Sequence, residues 1–315
     1  MENRPATPLG GSRATLVRKL SEERLKGELS KYFGRPYPNS ASIPNYEIWR
    51  CEETGLEFAN PMTPGDATFY SWITEADFYY PGERWEYRRT IDEFLPAAKS
   101  LIDVGCGDGK FLLQAKGELP QLDVNGLDNL EGSIAQCKAQ GLTAYAGTID
   151  EVLAKHPELE HSFDAVTSFH CLEHVSSPLD FVRDLLRLRA PGGSLVVSTP
   201  LSPMTFEAVW FDIQNHPPHH MTRWTTGAYR RLADLLGLNV TFAFGPRLGF
   251  LRSLYQAIKM EMAGHRTRIG LPAVLRGLMA RPLHYSAAIV SFSKAWLRAD
   301  HPGSNGVMAV FGDKG

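Results

Sequence analysis

The stretch LIDVGCGDGKFL, Leu101 to Leu112, sets three alternate glycines directly behind a short apolar run and ahead of the helix-like segment KFLLQAK. A run of that length bounded by glycine reads as a buried strand, so the glycines form a strand-to-helix turn. Glycine is needed where a backbone turns sharply and where a ligand must approach without a Cβ in the way. This part of the chain is therefore a βα unit with a ligand at the carboxyl end of its strand.

The pattern continues on both sides. SLIDVG, LDVNGLD, LTAYAG, FDAVTSF and GSLVVSTP alternate with helix-like KFLLQAK, SIAQCKAQ, DEVLAKH and PLDFVRDLLRLR. Such alternation predicts five βα-connected strands of a parallel sheet between residues 100 and 200. Beyond it come GAYRRLADLLGL (helix), NVTFAFG (strand), a mostly helical stretch from Arg252 to Asp300, and NGVMAVFGD (strand). The last two strands read as an antiparallel pair, which needs no crossover helix. Upstream, MENRPATPLGGS reads as disordered, and ATLVRKLSEERLKGELSKYF reads as an amphipathic helix through Leu16, Leu20, Leu25, Leu29 and Phe33. From Gly34 to Glu83 the chain is rich in Pro, Tyr and Trp, and FYYPGERWEYRRTIDEFL reads as a loop entering a helix.

With 315 residues, 43% of them hydrophobic, the chain can bury a large core. A formal net charge of -2 gives no bulk attraction to nucleic acid or anionic membranes and favours a small-molecule partner. Cys51, Cys106, Cys137 and Cys171 are scattered without a Cys-x-x-Cys pair, and the start lacks a signal-peptide pattern, so a reducing cytoplasm is expected. No apolar run reaches the roughly 20 residues of a transmembrane helix.

Asp128 ends the second strand, about 20 residues past the glycine turn, where an acid accepts both hydroxyls of a ribose. The pairing points to a nucleoside-containing cofactor. Dinucleotide binders use G-x-G-x-x-G with a pyrophosphate on the helix N-terminus, but the third glycine position here is Lys110 and Asp103 precedes the turn. An acid beside a pyrophosphate is unfavourable, which counts against a nucleotide-dependent oxidoreductase. An acid preceding G-x-G-x-G resembles the first motif of the class I S-adenosylmethionine-dependent methyltransferases. FDAVTSFHCLEHVSSP and RLRAPGGSLVVSTP resemble that family's fourth-strand and fifth-strand segments, the latter turning at Pro191-Gly192-Gly193. Within the family the chain is most similar to the small-molecule branch that includes ubiquinone-biosynthesis O-methyltransferases.

The resemblance implies an α/β, Rossmann-like doubly wound fold: a seven-stranded, mostly parallel sheet with an antiparallel last strand, an N-terminal appendage and a helical insertion before the last strand. By residue, 1–33 are a disordered start and amphipathic helix, and 34–94 an appendage covering the cofactor. Residues 95–251 are the S-adenosylmethionine-binding core, 252–302 a helical insertion serving as substrate lid or dimer face, and 303–315 the last core strand. It further implies that Asp103, Gly105 and Gly107 face the methionine end of the cofactor, with Cys106 contributing backbone only. Asp128 takes the ribose hydroxyls, Asn129 sits beside the adenine, Thr148 and Ile149 flank it, and Phe169 stands next to the sulfonium. The acid that relatives carry after the third strand is displaced here by one position, to Asp150.

Methyl transfer from a sulfonium is an in-line displacement, to which alignment and proximity contribute about 7–11 kcal/mol. A base is useful only for an acceptor protonated at neutral pH. His170 follows the fourth strand and is a candidate substrate contact or base, while Glu173-His174 fixes the loop in relatives. NHPPHHMTRWT places His216, His219 and His220 after the fifth strand, where ligands sit in open α/β sheets. His219 and His220 are candidate acceptor-site residues, either of them a possible base. A metal is not expected on this run, because Pro217-Pro218 stiffens it and Asp212 is the one acid at ligand distance. Nor is zinc expected at Cys51, since Thr54 replaces the second cysteine of the knuckle some relatives carry. Tyr79, Tyr80 and Arg88 are candidates for closing the site. The expected function is methylation of a small molecule, most plausibly at oxygen. The alternatives are a sugar or lipid-linked glycan acceptor and an inert cofactor-binding scaffold. A homodimer is left open and no nucleic acid is expected.

Overall fold

The computed structural model describes residues 4–11, 13–76, 83–263, 270–299, 301 and 303–314. The start departs from the sequence expectation twice. Residues 4–11 are not disordered: Leu9 is 1% exposed within the main hydrophobic core, and its carbonyl accepts from Arg231 Nε at 3.3 Å. The amphipathic helix begins only at residue 22. Residues Ala14–Leu20 form strand β1, α1 spans Glu22–Phe33, and β2 (Tyr46–Cys51) pairs antiparallel with β1 from Ala14↔Cys51 to Leu20↔Tyr46. The reason is local and tertiary together. Ser21 accepts from Arg24 N at 3.3 Å and so caps α1 there, while Thr15 and Val17 suit a pleated ladder next to β2.

The appendage continues with β3 (Glu57–Asn60), α2 (Ala67–Thr74) and α3 (Trp85–Glu93). Then come the βα units: β4 (Ser100–Val104), α4 (Lys110–Glu118), β5 (Asp123–Asp128), α5 (Glu131–Ala139), β6 (Thr143–Ala146), α6 (Ile149–Lys155), β7 (Phe163–Phe169), α7 (Pro178–Leu188) and β8 (Arg189–Pro200). After β9 (Thr222–Arg223) follow α8 (Thr226–Leu236), β10 (Leu238–Phe244), the helices α9 (Phe250–Ala263), α10 (Leu271–Ala280) and α11 (Pro282–Arg298), and β11 (Gly306–Asp313).

Seven of these strands form one sheet in the order β10-β11-β8-β7-β4-β5-β6. The ladders β4–β5, β5–β6, β4–β7 and β7–β8 are parallel, and β11 lies antiparallel between β8 and β10. This is the Rossmann-like doubly wound sheet that the family resemblance implies, and its parallel part is the one the alternation of runs predicts. Its central strands are nearly continuous apolar runs because helices cover both faces. Strand order reverses between β4 and β7, and in such sheets the crevice at the carboxyl ends beside the reversal takes the ligand. One local expectation changes: Pro191-Gly192-Gly193 lies inside β8 rather than in a turn before it. The register there jumps from Phe163↔Arg189 to Ala165↔Ser194, so the three residues bulge out of the ladder.

The appendage is not a separate lobe. β1, β2, β3 and β9 make a second, antiparallel sheet, and β9 comes from the chain just past the histidine-rich loop. Arg223 on β9 joins them electrostatically: its Nη1 is 2.7 Å from Glu57 Oε2 on β3, and its Nη2 pairs with Glu207. In the helical insertion, Ile258, Val274 and Tyr285 make a satellite cluster, while Leu251, Met279, Leu283 and Leu297 are more than two-thirds exposed. Among the described residues no helix is long and apolar enough to cross a membrane.

Both carboxylates that face Arg223 are almost fully buried. Glu57 keeps Arg50 as a second cation, but Glu207 keeps only the neutral donors Asn215 Nδ2 and Met204 N, so removing Arg223 leaves Glu207 without a paired cation among the described residues. Arg223→Leu is expected to cost about 3–5 kcal/mol, read as a lower urea midpoint at unchanged slope. A loss below about 1 kcal/mol, the range of surface pairs, would show that the three charges do not tie the sheets together.

Candidate active site

A cavity of ≈ 700 Å³ opens at the carboxyl ends of β4, β5, β6 and β7. One end is built by the glycine turn. Gly105 N and Cys106 N both donate to the Leu127 carbonyl, at 2.7 and 3.2 Å. Gly107 N donates to Asp128 Oδ2 at 2.9 Å, and Leu130 N to Asp128 Oδ1 at 2.8 Å. The carboxylate of Asp128 is thus held on the cavity wall by backbone N–H groups, and burial nevertheless raises its pKa. Gly105 has φ +78°, and a Cβ there would lie 2.1 Å from Cys171 Sγ. Gly109 starts α4 at φ +80°, with Cys137 Sγ and Leu142 packed where its Cβ would stand.

Gly105, Cys106, Gly107, Asp128, Asn129, Thr148, Ile149 and Phe169 all line this cavity. Cys106 turns its sulfur away toward Gly126. Thr148 caps α6, accepting from Glu151 N at 3.2 Å while its own N–H donates to Glu151 Oε2 at 2.9 Å. Phe169 stacks edge-on with Phe111 and Tyr87, ring centroids 4.8 and 5.2 Å away. Asp103 is placed differently: it does not line the cavity but lies behind it, accepting from Thr167 Oγ1 at 2.7 Å across the β4–β7 ladder. Burial pushes its pKa up to about 8, with the Thr167 bond opposing and the Asp128 charge adding to the rise. Any effect on a ligand passes through the turn it supports.

The other end is a wall of histidines. His170 sits at φ +55°, its N–H bonded to the Ser198 carbonyl at 2.9 Å. Its Nε2 is 3.0 Å from Glu86 Oε1 and its Nδ1 3.4 Å from Glu173 Oε1. Burial disfavours the charged ring, but the two carboxylates outweigh it and raise the His170 pKa. His170 thus hydrogen-bonds Glu86 through Nε2, while its Nδ1 faces Glu173 at a distance that is electrostatic only. Glu86 responds in the opposite sense: burial raises its pKa, yet the His170 bond brings it below the ordinary value. His174, His219 and His220 line the same wall, and burial lowers all three. His216 does not join them: its Nδ1 lies 2.6 Å from the Asp212 carbonyl and its ring 4.3 Å from that of Phe211.

Residues 83–242 match the family model of the methyltransferase domain, half of the chain. The chain belongs to this methyltransferase family. Over 115 residues it is 37% identical to a ubiquinone biosynthesis O-methyltransferase of Marinobacter nauticus, a match covering 35% of this chain and 48% of that protein. It is 32% identical over 144 residues to a tRNA U34 carboxymethyltransferase of Aliivibrio salmonicida, covering 42% of this chain and 44% of that one. The chain thus spans about half the length of the curated relatives it matches. Its fold is that of a SAM-dependent methyltransferase from Archaeoglobus fulgidus, with a TM-score of 0.52 and 16% identity over 78% of this chain and all of that one.

Several wall residues of this family member had no motif to announce them. Tyr70, Arg84, Tyr87 and Gln214 line the cavity, and Glu86 reaches His170 from α3. Their signal was compositional: the aromatic-rich text before β4 had to be covering something. Of the residues expected to close the site, Arg88 lies outside it, paired with Asp92 and Glu118 on the surface, and Tyr79 and Tyr80 fall outside the described residues. None of the described insertion residues 250–299 lines the cavity.

Gly105→Ala places a methyl against Cys171 on a left-handed backbone. The overpacking is expected to cost about 1–3 kcal/mol, with about 1–2 more from the φ angle. In thermal or urea unfolding, adding Cys171→Ala should recover only the first part. Full recovery would mean that the turn does not require the left-handed conformation.

Proposed function

We propose that this chain transfers a methyl group from S-adenosylmethionine to an oxygen of a small molecule. The observation that carries the reading is the pairing of the glycine turn with Asp128 on one cavity wall, facing His170, His219 and His220 on the other. Asp128 is oriented by Gly107 and Leu130 so that its remaining lone pairs face the cavity, suited to the two hydroxyls of a ribose. Thr148, Ile149 and Asn129 flank the place of an adenine, and Phe169 with Tyr87 provides an aromatic surface beside the sulfonium. The turn holds Asp128 on the cavity wall, while Asp108 is paired with Lys110 at 2.9 Å, and the Asp128 charge, unpaired among the described residues, favours a cationic cofactor over a pyrophosphate.

The reaction needs the acceptor oxygen in line with the S–CH3 bond, and the cavity supplies this by holding both partners in one enclosed volume. As the oxygen–carbon bond forms, the carbon–sulfur pair returns to sulfur and the acceptor proton leaves toward the histidine wall. The buried Glu173 carboxylate at that wall is the group that receives it. The similarity to ubiquinone biosynthesis O-methyltransferases supports an oxygen acceptor. Sugars and lipid-linked glycans belong in the same screen, and the similar tRNA-modifying protein is the reason to include an RNA substrate. An inert scaffold would bind the cofactor and turn over none of these.

Asp128→Asn keeps the shape and removes the charge. S-adenosylmethionine affinity is expected to fall at least tenfold, about 1.5–3 kcal/mol for a charged acceptor, in isothermal titration calorimetry; unchanged affinity removes Asp128 from the ribose. His220→Ala is expected to lower turnover far more than cofactor affinity, measured by product formation against the same calorimetry. Equal losses in both would make His220 an anchor of the loop.

A further inference from the structure

Three imidazoles meet where the loop after β7 touches the loop before β9. One ring nitrogen each of His174, His219 and His220 lies within 4.8 Å of the other two, and the ring centroids are 4.5, 4.5 and 4.8 Å apart pairwise. In every ring Nδ1 faces an oxygen. His174 donates to the His219 carbonyl at 2.6 Å, His219 to the Gln214 carbonyl at 2.9 Å and His220 to Asn215 Oδ1 at 2.9 Å. Those oxygens can only accept, so the proton resides on Nδ1 and the lone pair on Nε2. A metal-binding histidine is held in the same way, its far N–H donated to a carbonyl that fixes tautomer and orientation.

An independent observation lies next to them. Glu173 is 1% exposed, and neither of its carboxylate oxygens has a hydrogen-bond donor among the described residues. Its Oε1 is 4.0 Å from His220 Nε2, and the 3.4 Å contact with His170 Nδ1 lacks hydrogen-bond geometry. A buried carboxylate without a donor is unfavourable alone. A cation held by the three adjacent imidazoles offsets it.

We propose that His174, His219 and His220 bind one divalent transition-metal ion of the zinc class through Nε2. Glu173 balances its charge, and a fourth position opens to the cavity. Imidazole donors select zinc, copper or nickel over magnesium and calcium, and three protein ligands with one open position is the arrangement of a reactive rather than a structural zinc site. With Zn–N bonds of about 2.0–2.1 Å, tetrahedral nitrogens are about 3.3 Å apart, so the rings close in slightly on binding. Taken as a linear run, His216, His219 and His220 disfavour a metal. The fold replaces His216 by His174, 45 residues before His219, and supplies a buried acid that no linear spacing showed. An acceptor oxygen in the open position rests on the methyltransferase reading; the metal site does not.

The test uses the full chain, stripped with a chelator, dialysed and titrated with Co²⁺ while the visible spectrum is recorded, followed by Zn²⁺ displacement and by S-adenosylmethionine calorimetry on the same sample. One equivalent of Co²⁺ with the intense bands of four-coordinate cobalt, displaced by Zn²⁺, is the expected result. His174→Gln and, separately, His219→Gln should abolish stoichiometric uptake while far-ultraviolet circular dichroism and cofactor affinity stay unchanged. No stoichiometric cobalt uptake by the folded wild-type chain overturns the proposal, and so does uptake that survives in both variants. Should a variant misfold, Glu173→Gln serves in its place and is expected to weaken uptake at least tenfold. Cofactor binding without cobalt uptake sinks the metal site and leaves the methyltransferase reading standing; cobalt uptake without cofactor binding does the reverse.

Discussion

The Leu127 carbonyl, accepting from both Gly105 and Cys106, is the contact on which the rest of the site depends. It folds the turn after β4 back over the end of β5, and this brings Gly107 N within reach of Asp128, 21 positions later. The turn then has no room for a Cβ at residue 105, because Cys171 from the loop after β7 occupies that space. Three strand ends, of β4, β5 and β7, are thereby joined into one rim by backbone hydrogen bonds and close packing. Such contacts do not depend on long side chains finding a rotamer, so the rim is rigid before any ligand arrives.

The opposite end of the cavity has a different origin. The histidine loop is clamped between the doubly wound sheet and the appendage. Ile213 and Met221 pack in the same cluster as Leu25, Tyr46 and Phe69, Tyr32 Oη donates to Gln214 Oε1 at 2.6 Å, and Met221 N bonds back to the Glu173 carbonyl at 2.7 Å. Residues 4–76 lie before the stretch that matches the family model, yet they fix where the histidines stand. The glycine-turn end is therefore built by the stretch that matches the family model, and the histidine end partly by a segment outside it.

Much of the cofactor end was legible because its residues follow strand ends in order. Periodicity located β4 to β8, and each loop behind them delivered a wall residue: Gly105, Asp128, Thr148 and Phe169. Asp103 was misplaced by the same logic, since a linear pattern shows that an acid is present but not that Thr167 on the neighbouring strand turns it inward. β1 was illegible because its leucines fit a helical period, and only pairing with β2 decides between the two. The histidine cluster was half visible. His219 and His220 are adjacent in sequence, but their partners Glu173 and His174 arrive through the fold, and Glu86 reaches His170 across 84 positions.

The charges at that end constrain how the proposed reaction can run. His170 stands between Glu86 and Glu173, so even a fully charged imidazole leaves this trio with one net negative charge. A negative wall favours a sulfonium, but the sulfonium charge disappears as the methyl group leaves, so that interaction strengthens binding of the donor rather than its transition state. The same wall opposes an acceptor oxygen gaining negative character as its proton departs. A preorganised positive charge at the acceptor end reverses that opposition where charge develops. Neutral histidines cannot provide it, Lys110 is engaged by Asp108 at 2.9 Å on the cofactor side, and the Arg84 charge acts on the Glu86–His170 pair. A divalent ion on His174, His219 and His220 places the charge beside Glu173, changing the sign of the field at the acceptor while leaving the donor's surroundings negative.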